Sequence, residues 1–166
     1  MSHEVIQNRI KDMALQINTD FEGKTPVILP VLNGAFPFAA ELAKHITVSC
    51  EFEFVKISSY KGEISAKHQP FIMLGVDVAI VENKDIIIIE DIVDTGRTME
   101  ILINYLRHRN PKSISIACLF HKYQLSPDIQ LDYVGFQIPD DFIVGYGLDY
   151  ANLGRNLPDV YKLATI

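Results

Sequence analysis

The sequence predicts an α/β fold: a mostly parallel central sheet flanked by helices, with a small β-rich part at its C-terminal end. Three observations predict it. Residues 26–32 (PVILPVL), 85–91 (DIIIIED) and 113–120 (SISIACLF) are short, nearly continuous apolar runs, too short for core helices. They lack the in-and-out alternation of a half-exposed strand, so both faces of each must be covered. Segments of helical character lie between them, at 36–46 and 98–109, each entered through a turn.

Taken in order, the first segment sets Ile6, Ile10, Met13, Ala14 and Ile17 at helical spacing, with Ser2 placed to cap it. Gly23 interrupts this pattern before the strand at 26–32, which Asn33-Gly34-Ala35 ends ahead of the helix at 36–46. A second strand is expected at 52–57. Residues 58–69 (SSYKGEISAKHQ) are polar, contain Gly62 and read as a long exposed excursion, the length at which loops in compact domains serve as lids. Residues 71–81 are expected to be extended, and 85–91, dense in β-branched residues, is the clearest strand. The turn at Asp94-Thr95-Gly96 leads to the helix at 98–109 and the strand at 113–120. Beyond Ser126 the pattern changes. Residues 133–138 and 142–146 are strand-like and separated by Pro139, which suggests a β-rich extension instead of another strand–helix repeat. Such an extension would cap the C-terminal edge of the sheet, where open α/β sheets bind ligands. A core at 20–125 and an extension at 126–166, joined by the N-terminal segment, make one domain, which suits 166 residues.

Composition closes off several classes. Apolar residues at 48% and charged residues at 22% suit a packed core, not a disordered chain. A net charge of −6 provides no basic field, so neither nucleic acid nor a membrane surface is expected as a partner. No apolar run approaches the about 18 residues of a membrane span, and residues 1–11 lack the apolar stretch of a signal peptide. A cytoplasmic location is expected. Cys50 and Cys118 stand apart in apolar surroundings and read as core thiols. Local anion sites stay open, because backbone amides bind phosphate even on an acidic protein.

Residues 86–99 (IIIIEDIVDTGRTM) carry the strongest chemical signal. Four isoleucines make a buried strand, two carboxylates follow, and a turn of Asp94, Thr95, Gly96, Arg97 and Thr98 feeds a helix. Amides at a helix N-terminus bind phosphate, glycine lets the backbone approach closely, and the threonine hydroxyls donate; together they form a 5′-phosphate cradle. Glu90 and Asp91 beside it are suited to accept hydrogen bonds from a ribose diol and to attract a hard cation. Neighbouring strand residues point to opposite faces, so both acids reach one ligand only if the strand ends there. The plain alternative is a capped helix with solvated acids at a sheet edge. A phosphate-receiver domain also places acids at strand ends, but leaves the Thr-Gly-Arg-Thr turn without a purpose.

The same residues resemble the phosphoribosyl-pyrophosphate motif of type I phosphoribosyltransferases, in the hypoxanthine-guanine branch. The similarity covers nearly the whole chain. Leu32-Asn33-Gly34-Ala35 resembles that family's pyrophosphate loop, Ser59-Tyr60 its mobile catalytic loop, and Leu119-Phe120-His121-Lys122 its purine element. Residues 134–150 (VGFQIPDDFIVGYGLDY) resemble its purine-binding hood. The resemblance implies the type I phosphoribosyltransferase fold with a small C-terminal hood, and transfer of a phosphoribosyl group to N9 of hypoxanthine or guanine.

By that resemblance, Asp94 is the catalytic base for purine N7, and Glu90 and Asp91 hold the ribose hydroxyls and organise Mg2+. Thr95, Gly96, Arg97 and Thr98 receive the 5′-phosphate, with Arg97 at a position where the family commonly has Lys. Leu32, Asn33, Gly34 and Arg155 contact pyrophosphate, Asn33 also standing where many members have Lys. The loop at Ser59 and Tyr60 closes to exclude water. Lys122 donates to the 6-oxo group, with His121 as the fallback, while Phe142 stacks on the base and the backbones of Ile143 and Val144 meet an exocyclic amino group. Asp149, grouped with the purine-binding residues, also matches the acid that binds a second Mg2+ through the pyrophosphate side. The implied partners are phosphoribosyl pyrophosphate and 6-oxopurines, and the implied assembly is a homodimer or homotetramer, with residues 36–46 as a contact helix. A nucleic-acid-binding regulator built on the same fold would need a basic face, which 21 acidic against 15 basic residues do not supply.

Overall fold

The computed structural model describes residues 1–58, 71–122 and 129–163. The elements run α1 (His3–Asp20), β1 (Val27–Leu32), α2 (Phe36–Ala43), β2 (Glu51–Phe52), β3 (Val55–Ser58), β4 (Phe71–Leu74), α3 (Val78–Val81), β5 (Asp85–Val93), α4 (Arg97–Arg107), β6 (Ser113–Lys122), β7 (Tyr133–Ile138), β8 (Ile143–Val144) and β9 (Tyr161–Lys162). The main sheet has the order β4-β3-β1-β5-β6-β7, with β2 also on β1. All its pairings are parallel except β3–β4. β8 and β9 form a separate antiparallel pair.

The doubly covered β5 explains the layering. Ile87 and Ile89 pack with α1 and α2, whereas Ile86 and Ile88 pack with Met99, Leu102 and Leu106 of α4. The five α1 residues at helical spacing are all fully buried. Each such isoleucine contributes about 1.5–3 kcal/mol by leaving water, which anchors β5 as the fixed floor under the turn that follows it.

Several expectations change. Residues 133–138 belong to the main sheet and not to the extension: β7 lies parallel to β6, with Ala117 opposite Tyr133 and Lys122 opposite Ile138. The edge this leaves is covered by Arg9 of α1, which donates to the carbonyls of Val134 and Gly135 at 2.6 and 2.8 Å. Residues 52–57 divide into β2 and β3, both on β1 but at different heights. Of the extended stretch expected at 71–81, the last part is the short helix α3, because Asp77 Oδ1 accepts from the Ala79 N–H at 3.1 Å and starts a turn. The helix expected at 36–46 ends at Ala43, and the one expected from 98 begins at Arg97. Ser2 stands at the α1 N-cap without a side-chain bond; the Asp159 carboxylate accepts from the His3 N–H instead, at 2.8 Å.

β5 also runs on past the acid pair to Val93. Both acids still border one cleft because the alternation of faces slips at their level. Ile89 and Ile92 share one apolar cluster, as do the adjacent Leu119 and Phe120, although strict alternation would separate each pair. The register is unbroken, with Glu90 opposite Cys118 and Ile92 opposite Phe120, so the two strands turn together.

Candidate active site

The cleft opens at the C-terminal ends of β1 and β5. It encloses about 280 Å³ and is bordered by Glu90, Asp91, residues 94–98, Leu32, Gly34, Asp149 and Arg155. Gly96 has φ +83°, a conformation glycine adopts without penalty, and it turns the chain directly into α4. The amides of the first α4 turn have no partners within the helix and are available to an anion in the cleft. The Leu32–Asn33 peptide is cis. Gly34, just beyond it, is tightly constrained: a Cβ there would overlap the Asp91 carboxylate.

Glu90 and Asp91 are both buried. Burial raises the Glu90 carboxyl well above its usual pKa, and the adjacent Asp91 charge raises it further. The Asp91 N–H donates to Glu90 Oε1 at 3.3 Å, too little to offset this. Two carboxylates withdrawn from water favour a cation between them and the ligand. Among the described residues, no three His, Cys, Asp or Glu side chains cluster as a self-sufficient metal site. That donor set fits Mg2+, which takes one or two carboxylates and completes its shell with water and substrate phosphate oxygens.

A second cavity of about 240 Å³ shares Asp91, Ile92, Asp94 and Asp149 with the first and adds Lys122, Asp141, Phe142, Ile143 and Leu148. Lys122 reaches it because β6 extends two residues beyond its expected end. Its Nζ is 2.8 Å from Asp140 Oδ1 and 3.6 Å from Asp94 Oδ2. The bond to Asp140 first, then the charge of Asp94, hold the ammonium above its ordinary pKa despite burial. Phe142 is 53% exposed, leaving it open to a planar ligand, and it meets Tyr150 edge-on at 5.8 Å. Asp149 accepts from the Asn152 N–H at 2.8 Å and from the Arg155 guanidinium, whose Nη1 also donates to the Gly147 carbonyl at 2.6 Å. Gly147, at φ +97°, rests on the β1–α2 turn so closely that a Cβ would overlap the carbonyl oxygen of Gly34. The two cavities are therefore one bipartite cleft, acid-walled in the middle.

Residues 2–151 match the phosphoribosyl transferase domain family. The hypoxanthine-guanine phosphoribosyltransferase of Streptococcus mutans is 44% identical over 160 residues, which is 96% of this chain and 88% of that one. The enzyme of the same name from Bacillus subtilis is 42% identical over 159 residues, 95% of this chain and 88% of its own. The chain belongs to the hypoxanthine-guanine phosphoribosyltransferase family. A solved hypoxanthine-guanine phosphoribosyltransferase from Bacillus anthracis, with a HEPES molecule in its active site, superposes with a TM-score of 0.90 at 38% identity, covering 99% of this chain and 96% of that one.

Within this phosphoribosyltransferase chain, most of the residues singled out from sequence come together. Glu90, Asp91, residues 94–98, Leu32, Gly34, Asp149 and Arg155 border the first cavity, and Lys122, Phe142 and Ile143 the second. Asn33 is exposed and borders neither. Val144 packs toward Gly154 instead. His121, the fallback donor, borders neither cavity among the described residues, and its Nε2 is buried without a partner. Ser59 and Tyr60 lie outside the described residues. Sequence reasoning missed Asp140, Asp141 and Leu148. Two acids directly after Pro139 were the available signal for the first two, since a turn at a sheet's C-terminal edge places its polar side chains at the ligand.

Proposed function

We propose that this chain is a purine-salvage pentosyltransferase. It transfers the 5-phosphoribosyl group of phosphoribosyl pyrophosphate to N9 of hypoxanthine or guanine, giving IMP or GMP and pyrophosphate. The observation that carries this is the bipartite cleft, in which a phosphate cradle and an aromatic-walled cavity share Asp91, Asp94 and Asp149. A sugar bridging the two would lie over these acids.

In this reaction N9 attacks C1′ while the C1′–O bond breaks, its electron pair leaving on pyrophosphate. The N7 proton, made acidic by the new glycosidic bond, passes to Asp94, a step of the kind that contributes about 10²- to 10⁴-fold. Asp94 is 55% exposed to the cleft, so its carboxylate is accessible to the base. Glu90 and Asp91 hold the ribose diol and would hold one Mg2+, with Asp149 holding a second; when bound, the metal would supply positive charge to stabilise the leaving pyrophosphate. Each Asp149 oxygen keeps a further lone pair for this. Residues 95–98 bind the 5′-phosphate, and Leu32, Gly34 and Arg155 face pyrophosphate. Lys122 donates to a 6-oxo group; adenine presents a donor there and leaves the buried ammonium unmatched. Phe142 stacks on the base beside Ile143.

The whole chain acts as one domain, in the cytoplasm, as a homodimer or homotetramer with α2 in the contact. Exposed Phe36 at the start of α2 supports that contact. No helix among the described residues is long and apolar enough to cross a membrane.

The test is an assay of phosphoribosyl pyrophosphate with hypoxanthine, guanine, xanthine and adenine, with and without Mg2+. Nucleotide should form from the first two, need the metal and fail with adenine. Adenine consumed as fast as hypoxanthine would overturn the assignment.

A further inference from the structure

Lys122 carries three donors and no acceptor, and two acids compete for it. It contacts Asp140 Oδ1 at 2.8 Å and stands back from Asp94 Oδ2 at 3.6 Å. The lysine side chain is only 12% exposed, whereas Asp140 and Asp94 are 65% and 55% exposed. Asp140 is nevertheless fixed from both sides. Two residues earlier, Ile138 is paired with Lys122 itself in the β6–β7 ladder. The Asp141 N–H donates to the Pro139 carbonyl at 2.8 Å, closing a tight turn around Asp140. The Asp141 carboxylate in turn pairs with Lys162 of β9 at 2.8 Å. Among the described residues no comparable tie holds the Asp94 carboxylate, which lies beyond the end of β5.

We propose that Asp140 is a positioning residue: it draws the Lys122 ammonium away from Asp94, so that the donor for a purine 6-oxo group and the base for N7 remain separate groups. This rests on the transfer reaction proposed above. The two tasks conflict if lysine and Asp94 touch. A contact ion pair stabilises the Asp94 carboxylate and weakens it as a proton acceptor. Asp140 supplies a competing carboxylate on the hood side and takes one of the three lysine hydrogens, which leaves two donors on the cleft side for the ligand.

The experiment uses the full chain with Asp140→Asn, Asp140→Ala and Asp140→Glu. For the Asn and Ala variants, KM for hypoxanthine should rise and kcat should fall, each about tenfold, the scale of one hydrogen bond to a charged group. KM for phosphoribosyl pyrophosphate should stay within twofold. So should inhibition by unsubstituted purine, which has no 6-oxo group and also reports that the pocket is intact. Asp140→Glu, which restores the carboxylate, should recover most of both losses. Parent-like hypoxanthine kinetics in Asp140→Asn would overturn the proposal, as would an equal loss of purine inhibition or a Glu variant no better than Ala. These results differ from failure of the reaction itself, which would appear as a parent chain making no IMP.

Discussion

The part of the cleft proposed to receive the 5′-phosphate and ribose is one uninterrupted stretch, residues 90–98, whereas the wall proposed to receive the base is gathered from Lys122 on β6, residues 141–143, Leu148 and Asp149. The first wall stands on a strand buried on both faces and on a helix with Met99, Leu102 and Leu106 in the core. The second is half-exposed and tied by ion pairs, Lys122 to Asp140, Lys162 to Asp141 and Arg155 to Asp149. These pairs replace the apolar packing that anchors the first wall, and Asp140 and Lys162 are each more than half exposed, so the base wall is the softer of the two. The difference suits the chemistry. A charged phosphate and a cation need fixed partners before the reaction starts, while a flat neutral base has to enter and leave.

The sharpest way to break this comparison is at Asp94, one of the residues both walls share. Asp94→Asn keeps the shape of the turn and removes the proton acceptor. Turnover should fall about 10²- to 10⁴-fold, with affinity for phosphoribosyl pyrophosphate changed less than about threefold. Steady-state kinetics and calorimetry on the same preparation separate the two effects. Parent-like turnover would remove Asp94 from the mechanism, and a parallel collapse in phosphoribosyl pyrophosphate binding would make it a cradle residue only.

A smaller effect is expected where the walls are pressed together. Gly147 sits at φ +97° against the carbonyl of Gly34, and Arg155 holds its own carbonyl. Gly147→Ala adds backbone strain of about 1–3 kcal/mol and a side-chain overlap that only separation of the walls can relieve. KM for both substrates should rise together, by about tenfold, with a lower melting temperature. A rise for the base alone would mean that the hood moves independently of the pyrophosphate turn.

The same contrast explains what could be read from sequence. Residues 86–99 were legible because every part of the phosphate wall is local: a strand, an acid pair, a glycine turn and a helix start follow one another along the chain. The α1 face was legible for a similar reason, its five buried residues being set by helical period alone. Residues 133–138 were strand-like in sequence, but whether they joined β6 or a separate hood depends on a partner strand and on Arg9, which lies far away in the chain. Asp140 was invisible as a partner of Lys122 because 18 residues separate them. The slip in face alternation at Glu90 and Asp91 is likewise a property of two paired strands, so no pattern in one of them announces it.

The mildest prediction concerns what rigidity costs the phosphate wall before any ligand arrives. Glu90 has its pKa raised by burial and by Asp91, so the folded chain holds a proton that the unfolded chain has already released. Stability from that carboxyl is then full below about pH 4, the unfolded range, and is lost as pH climbs through the raised folded value. Glu90→Gln keeps the side chain's outline without the charge. The ligand-free variant should melt at the parent's temperature near pH 4 and above it at higher pH, by on the order of 2–4 °C, which about 1 kcal/mol is worth at this chain length. Saturating Mg2+ and phosphoribosyl pyrophosphate should reverse the order, since only the parent gains from a cation at that carboxylate. Melting curves that coincide across the whole pH range would mean that water or a neighbouring donor already relieves the acid pair, and that the firm wall carries no strain of charge at all.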